Sequence, residues 1–206
     1  MSLLYVLGLT GASGSGKGYV SDIFARRNIE TLDTDELYHS LTGSDPTLRD
    51  DELLAELKSE FGDDIISHDG SLFRPALRDK VFSSPEKLKR LNEIAHPHVI
   101  SAALSWIKQQ WKSGRKYCII DAPLLFESGM NDYCDWTIGV IADRALRVSR
   151  IIKRDGISPE AAEKRISNQP DNDFYRTKCD FIVVNNEGHN PELQVDIILQ
   201  KLNFMV

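Results

Sequence analysis

An apolar run leads directly into a glycine-rich stretch near the start of this chain. The run covers Leu4 to Leu9, and Gly11, Gly16 and Lys17 then follow at the spacing of a phosphate-binding Walker A loop. Glycines let the backbone curl so that successive N–H groups converge on a phosphate, and a following helix adds the positive end of its dipole. The stretch therefore predicts a strand, a phosphate-binding loop and a helix in direct succession.

The loop predicts which residues bind ATP. Lys17 is expected to reach the β- and γ-phosphates and to be catalytic. The predicted ATP-binding residues of this stretch are Gly11, Ala12, Ser13, Gly14, Ser15, Gly16, Lys17, Gly18 and Tyr19.

Gly18 departs from the motif, which has Ser or Thr after the lysine to coordinate Mg²⁺ through its hydroxyl. One interpretation is that a water fills this coordination position, because Mg²⁺ commonly keeps several waters. The other is a degenerate loop that binds nucleotide weakly or not at all. The acidic and basic residues described below favour an active loop with Mg²⁺ as cofactor.

Short β-rich runs alternate with longer stretches of helical periodicity along the chain. This alternation is typical of a parallel sheet with crossover helices, so we predict an α/β fold with five parallel strands between helices. The predicted strands are Leu4 to Leu9, Ile29 to Leu32, Tyr117 to Ile120, Trp136 to Ile141 and Phe181 to Val184.

The interval from about 35 to 114 has several helix signals and no convincing strand. Ser84-Pro85 is typical of a helix N-terminus, as is Ser158-Pro159. Gly114 and Gly156 are at positions where helices are expected to end. We predict one domain over 1–206, with a nucleotide-binding core (about 1–34, 115–143 and 179–206), a helical substrate-binding insertion (about 35–114) and a lid (about 144–178).

Composition limits the possible partners and the compartment. With 25 basic and 31 acidic residues the net charge is −6, which disfavours a broad nucleic-acid surface. Cys118, Cys134 and Cys179 are far apart and are expected to be reduced thiols, not zinc ligands. The apolar run at Leu3 to Leu9 has no basic flank, and no stretch reaches the roughly 18 apolar residues of a membrane span. We expect a cytoplasmic protein with small-molecule partners, no membrane and no nucleic acid; the oligomeric state does not follow from the sequence.

Two predicted strands end in aspartate. Asp33 is expected at the carboxyl edge of the sheet, where it could orient an attacking hydroxyl or accept its proton. The alternative is that Asp33 or Asp35 only caps the helix beginning near Glu36. Asp121 ends an apolar run in the pattern of a Walker B strand, whose carboxylate supports Mg²⁺, usually through water, although many strands end in aspartate.

Three arginines recur at intervals of three and four residues before Gly156. Arg147, Arg150 and Arg154 therefore share one face of a predicted helix. Such a stripe is usually solvated. Arginines on a mobile lid also neutralise the charge of a transferring phosphoryl group and exclude water, and the spacing does not decide between these interpretations.

These features, in this order, resemble the dephospho-coenzyme A kinase family over nearly the whole chain. The segments that carry the resemblance are Gly8 to Gly11 with Gly14 to Lys17, Leu32 to Asp35 with His39, Gly70 to Arg74, Leu77-Arg78, Val81-Phe82, Leu91-Asn92, His96-Pro97, Asp121 to Glu127 with Gly129, Arg154 to Gly156, Arg165-Ile166, Gln169, Asp180, Asn185-Asn186 and Gly188. The Pro-Leu-Leu-Phe-Glu segment and the His-Pro pair distinguish it from other small P-loop kinases.

The resemblance implies the fold of P-loop nucleoside triphosphate hydrolases and MgATP-dependent phosphorylation of the ribose 3′-hydroxyl of dephospho-coenzyme A. It implies that Asp33 is the catalytic carboxylate, that Arg150 is a catalytic lid residue, and that Arg154 and Asn186 bind ATP. It places the substrate near Asp33, Asp35, Arg78, His96, Pro123, Leu124 and Glu127.

Alternatives remain at this stage. His96-Pro97 could simply break and restart a helix, and Arg78 could pair with a nearby acid. Ala12-Ser13 stands where the family usually has Gly-Ile, which a backbone-mediated loop should tolerate. The competing functions are a nucleoside or nucleotide kinase, or a non-catalytic nucleotide-binding protein.

Overall fold

A computed structural model describes residues 3–81 and 84–205; Phe82, part of the motif quoted above, lies outside the described residues. The chain forms two compact units. The first contains the chain up to Thr31 and from Gln110 onward, and the second is Leu32–Gln109.

The sheet has five parallel strands, which confirms the predicted fold class. The strands are β1 (Tyr5–Thr10), β2 (Glu30–Asp33), β3 (Tyr117–Asp121), β4 (Trp136–Ile141) and β5 (Phe181–Val184). Their order is β2-β3-β1-β4-β5. The ends of β1 and β2 and the end of β3 differ by one residue from the prediction, and β4 and β5 match it.

Nine helices fall within the described residues. They are α1 (Lys17–Arg26), α2 (Thr34–Leu41), α3 (Asp51–Phe61), α4 (Arg74–Val81), α5 (Pro85–Lys112), α6 (Arg144–Asp155), α7 (Pro159–Ser167), α8 (Asn172–Lys178) and α9 (Pro191–Met205). Short 3₁₀ turns lie at Asp63–Ile65 and Met130–Tyr133.

The strand before the glycine-rich loop is buried in the centre of the sheet. β1 pairs with β3 on one side and β4 on the other, so neither of its edges is free, and five of its six residues are buried. Leu7 and Leu9 pack with Phe24 of α1 and Val195 of α9 in the main core of the first unit. This packing fixes the point at which the chain leaves the sheet.

The second unit is built from helices around a core that includes Leu53, Leu57 and Leu77. The described part of 35–114 contains no extended strand, only one antiparallel bridge between Ile66 and Leu72.

The predicted helix ends are confirmed. Ser84 Oγ accepts from the Lys87 N–H at 3.4 Å and Ser158 Oγ from the Ala161 N–H at 3.3 Å. Gly156, at φ +64°, ends α6 in the left-handed conformation.

The alternative that His96-Pro97 interrupts a helix is wrong. α5 continues from Pro85 to Lys112 with Pro97 inside it. Pro97 is exposed, so the carbonyl that loses its helical partner there can reach solvent.

None of the helices within residues 3–81 and 84–205 is long and apolar enough to cross a membrane. The three cysteines are free thiols. Burial raises the pKa of each, Cys118, Cys134 and Cys179, to about 12, so all three are protonated at neutral pH.

Candidate active site

The glycine-rich loop connects the end of β1 to the first turn of α1. Gly14 and Gly16 have φ values of +78° and +90°, which residues with a Cβ rarely adopt. A Cβ at Gly14 would also lie 2.6 Å from the carbonyl oxygen of Arg147. The loop therefore needs glycine at these positions, both for its turn and for its close approach to α6.

Side chains of α6 and of the residue after β5 donate hydrogen bonds to carbonyl groups of the loop. The Arg150 guanidinium donates through Nη1 to the Gly14 and Ser15 carbonyls at 3.1 and 3.2 Å, and through Nη2 to the Asn185 carbonyl at 3.0 Å. Asn185 Nδ2 also donates to the Ser15 carbonyl at 2.9 Å. With these oxygens bound to α6 and the end of β5, the N–H groups of Gly14, Gly16 and Lys17 are available for an anion.

Ser13 is fixed by two other side chains. Arg147 Nε donates to the Ser13 carbonyl at 3.0 Å. Gln169 Oε1 accepts from the Ser13 N–H at 3.0 Å, and its Nε2 donates to Ser13 Oγ at 3.1 Å. The polar groups of Ser13 thus bond to α6 and to Gln169, which follows α7. Sequence analysis missed this set of contacts, although Arg147 and Gln169 both lay within patterns it described.

Lys17 and Asp121 form an ion pair at the base of the loop. Lys17 is the first residue of α1 and Asp121 the last of β3, the strand beside β1. The Asp121 carboxylate is 2% exposed and the Lys17 side chain is mostly buried, so solvent screens the pair weakly. The two groups predicted to serve phosphate and metal are therefore brought together.

The predicted metal site has few protein donors. Gly18 is exposed, and a Cβ built there meets no atom within 4 Å. Within the described residues there is no group of three or more His, Cys, Asp or Glu that could hold a metal ion. A single carboxylate, Asp121, fits Mg²⁺ that is held mainly by waters and phosphate oxygens, and does not fit an ion held in an all-protein cage.

Asp33 is the last residue of β2 and the N-cap of α2. Its Oδ1 accepts from the N–H groups of Asp35 and Glu36 at 2.8 and 3.0 Å. The capping interpretation is therefore confirmed for Asp33, while Asp35 lies in the first turn of α2. Capping holds the carboxylate at the strand end and does not exclude a second role.

The second half of α6 has a different environment. Arg154 donates to Asp155 at 2.7 and 3.0 Å, and Arg165 of α7 pairs with the same carboxylate. Hydrogen bonds from Arg154, then from Arg165, lower the pKa of Asp155 to about 2. The Arg154 side chain is 62% exposed.

Asn186, also predicted to bind ATP, accepts from the Asp143 N–H at 2.8 Å.

The segment after β3 is a series of turns. Pro123 accepts through its carbonyl from Thr10 Oγ1 at 3.3 Å, and the Ser128 N–H donates to the Leu124 carbonyl at 2.9 Å. Leu124 and Glu127 are exposed. Leu125 is buried against Gly8, where an added Cβ would approach it to 2.8 Å. The buried leucine fixes the segment and leaves its predicted substrate-binding side chains at the surface.

The predicted substrate residues of the second unit lie on its helices. Arg78 is exposed on α4, and His96 is half-buried on α5. No ion pair involves Arg78 within residues 3–81 and 84–205, so its predicted pairing with an acid is wrong. Arg74 donates to the His39 carbonyl at 3.2 Å and to Thr42 Oγ1 at 3.0 Å.

Comparisons with known proteins identify the family of this chain. The family model described as dephospho-CoA kinase matches residues 5–191. A dephospho-CoA kinase from Fusobacterium nucleatum is 36% identical over 188 residues, 91% of this chain and 92% of that protein. One from Arabidopsis thaliana is 33% identical over 181 residues, 88% of this chain and 76% of that protein.

Solved structures give the same result for the fold. TT1252 from Thermus thermophilus superposes with a TM-score of 0.79 at 27% identity, covering 98% of this chain and 99% of that one. A dephospho-CoA kinase from Campylobacter jejuni has a TM-score of 0.61 at 22% identity, covering 96% and 97%.

Proposed function

Because the chain belongs to the dephospho-CoA kinase family, which carries out the final step of coenzyme A synthesis, we propose that it transfers the γ-phosphoryl group of ATP to the ribose 3′-hydroxyl of dephospho-coenzyme A. The products are coenzyme A and ADP. The observation that carries the proposal is the glycine loop, whose carbonyls bond to Arg150 and Asn185 while the Lys17–Asp121 pair lies at its base.

The loop and Lys17 supply the electrostatics of phosphoryl transfer. Negative charge spreads over the oxygens of the transferring group, and amide N–H groups with a lysine ammonium stabilise it in a site that needs no rearrangement. Gly11 to Tyr19 bind the phosphates in this proposal. Lys17 exchanges part of its interaction with Asp121 for the β- and γ-phosphates.

Mg²⁺ is the proposed cofactor. When bound, it would neutralise phosphate charge and orient the phosphates. Asp121 would hold it through water, and Gly18 would leave one further position to water. The scarcity of protein donors around Asp121 supports this arrangement.

Asp33 is the proposed residue that orients the 3′-hydroxyl and accepts its proton. The carboxyl ends of parallel strands face ligands in open α/β folds, and Asp33 ends β2. Its Oδ1 is fixed by two backbone N–H groups, so the carboxylate is held in place before substrate binds. Asp35, Arg78, His96, Pro123, Leu124 and Glu127 are proposed to bind the coenzyme A part.

The lid is proposed to cover residues 144–178, beside a core of 1–34, 115–143 and 179–206 and an insertion of 35–114. Arg154 and Asn186 are proposed to bind ATP. Arg150 stays a predicted catalytic residue, and its hydrogen bonds to three backbone carbonyls favour an indirect role through the loop. Cytoplasmic location also stays a prediction.

A coupled assay of ADP release tests the proposal. We expect ATP turnover that depends on dephospho-coenzyme A and falls by two or more orders of magnitude in Asp33→Asn, in line with the contribution of a general base, about 10²- to 10⁴-fold. Glu36→Gln, an exposed residue in the first turn of the same helix, is the control for loss of charge. Equal turnover by wild type and Asp33→Asn would contradict the role of Asp33. Faster turnover of a nucleoside than of dephospho-coenzyme A would contradict the substrate.

A further inference from the structure

Ser13 bonds to two side chains that are far from it in sequence. Gln169 both accepts from the Ser13 N–H and donates to Ser13 Oγ, and Arg147 donates to the Ser13 carbonyl. Because its N–H points to Gln169, Ser13 is an anchor of the loop. The Ser15 N–H donates to the Ala12 carbonyl at 3.0 Å, so the amides left to face a phosphate up to the start of α1 are those of Gly14, Gly16 and Lys17.

Arg147 is a buried cation. Its side chain and backbone are 3% exposed, and its Nη2 has no hydrogen-bond partner within residues 3–81 and 84–205. Burial lowers the pKa of the guanidinium, with an opposing contribution from Tyr175. A cavity of about 560 Å³ borders it, lined also by Arg144, Gln169 and the carboxylates of Asp171 and Asp173.

Burying a guanidinium with an unpaired nitrogen costs stability. One charged hydrogen bond to a carbonyl offsets part of that cost. A leucine or methionine of similar length would pack in the same place without the cost. The position therefore fits a contribution to the loop better than a contribution to folding.

The positive charge of Arg147 also fits a contribution to the loop. Arg147 and Arg150 both contact loop carbonyls, so two positive charges lie directly behind the amides that face the triphosphate. Because Arg147 is 3% exposed, its field is screened less than that of an exposed arginine.

We propose that Arg147 and Gln169 are positioning residues for ATP: they hold Ser13 so that the following loop amides keep the orientation that binds the phosphates, and the buried charge of Arg147 strengthens the attraction. The inference rests on one part of the proposed function, namely that the loop binds ATP. It does not depend on the identity of the acceptor.

Calorimetric titration of ATP into three Arg147 variants separates geometry from charge. Arg147→Lys keeps the charge, Arg147→Gln keeps a neutral donor, and Arg147→Met keeps neither. We expect Arg147→Met to raise the Kd of ATP about tenfold, the loss of one charged hydrogen bond, with the other two variants between it and wild type. Arg144→Met is the matched control one turn earlier on α6, because Arg144 is exposed and pairs with Glu163. We expect it to change the Kd by less than twofold.

Thermal unfolding separates this role from a purely structural one, because the loss of a structural residue lowers Tm. We expect Arg147→Met to melt at or above the Tm of wild type, because the unpaired nitrogen is removed. A fall in Tm with an unchanged Kd of ATP would overturn the proposal.

Gln169→Leu tests the proposal through the second residue and covers the case in which Arg147→Met fails to fold. It removes both bonds to Ser13, whereas Ser13→Ala removes only the bond to Oγ. We expect a rise in Kd of several-fold for Gln169→Leu, a smaller rise for Ser13→Ala, and no further loss when the two are combined. Unchanged ATP affinity in Gln169→Leu would overturn the proposal. Wild type that binds ATP but does not phosphorylate dephospho-coenzyme A would contradict the proposed function and leave this inference standing.

Discussion

Arg150 and Arg154 lie one turn apart on α6 and have opposite surroundings. Arg150 is half-buried, and its hydrogen bonds go to carbonyls of the phosphate loop and the end of β5. Arg154 is largely exposed and shares the Asp155 carboxylate with Arg165. The part of α6 around Arg150 thus holds the loop, and its C-terminal end carries Arg154, whose partner Asp155 also binds Arg165 of α7.

This difference separates two ways in which an arginine serves phosphate chemistry. A guanidinium bonded to backbone carbonyls acts by holding the amides on the other side of the same peptides. A guanidinium on an exposed carboxylate can exchange that partner for a phosphate, because both are bidentate acceptors. The first role is set before ATP binds, and the second requires ATP.

The largest expected effect is that of Arg150→Met. The substitution removes a donor from three carbonyls, of which that of Ser15 keeps its bond from Asn185 Nδ2. We expect the Kd of ATP to rise about 30-fold, corresponding to roughly 2 kcal/mol. We also expect Tm to fall. Calorimetry and thermal unfolding measure both, with Arg150→Lys as the control for charge. Unchanged affinity would contradict the role assigned to this end of α6.

In contrast to Arg150→Met, Arg154→Met is expected to change turnover more than ATP affinity. Arg154 is proposed to bind ATP, and a contact to the γ-phosphate that strengthens in the transition state acts on kcat more than on affinity. We therefore expect its loss to lower kcat roughly tenfold or more, with the Kd of ATP changed less than threefold. Steady-state kinetics and calorimetry on the same preparation give both values. Arg165→Met, which leaves the Asp155–Arg154 pair in place, is the control. A Kd that rises as far as in Arg150→Met would remove the distinction between the two ends of the helix.

Gly18→Ser extends the comparison to the metal. The open space at Gly18 admits a side chain, and its hydroxyl could replace a coordinating water. We expect half-maximal turnover at a Mg²⁺ concentration a few-fold lower. Gly18→Ala is the matched control, since it adds the Cβ and the helix propensity without the oxygen. An equal Mg²⁺ requirement in the two variants would count against coordination at this position.

The smallest effect concerns Asp155 and pH. The two arginines lower its folded-state pKa to about 2, so its contribution to stability is present above the unfolded pKa, near 3.9, and is lost as pH falls toward 2. We expect Asp155→Asn to be less stable than wild type at pH 7, with most of the difference lost by pH 2. Urea unfolding across this range measures the difference. A difference as large at pH 2 as at pH 7 would mean that the carboxylate charge is not its source.

The strands and the loop could be predicted because their signals are local. An apolar run followed by Gly11 and Gly16 at Walker A spacing has few alternative interpretations. The predicted strand ends lie within one residue of the observed ones. Residues 35–114 could be predicted as helical for the same reason.

The sequence did not predict which arginines of α6 hold the loop and which one pairs with Asp155. A period of three to four residues places Arg147, Arg150 and Arg154 on one helix face, but which of them is buried depends on where the loop packs against α6. The contact of Gln169 with Ser13 spans 156 residues and leaves no local pattern. Asp33 is intermediate: its capping role was one of two interpretations, and the other stays a prediction.

Amide chemical shifts on titration with MgATP test the central claim most directly. We predict that the N–H signals of Gly14, Gly16, Lys17 and Gly18 move strongly downfield as they donate to phosphate oxygens, while the Ser13 N–H, bonded to Gln169, moves little. Shifts of the same size in the Arg154→Met variant and smaller ones in Arg150→Met would agree with the account. Loop signals that stay in place when MgATP is added to wild type would contradict it.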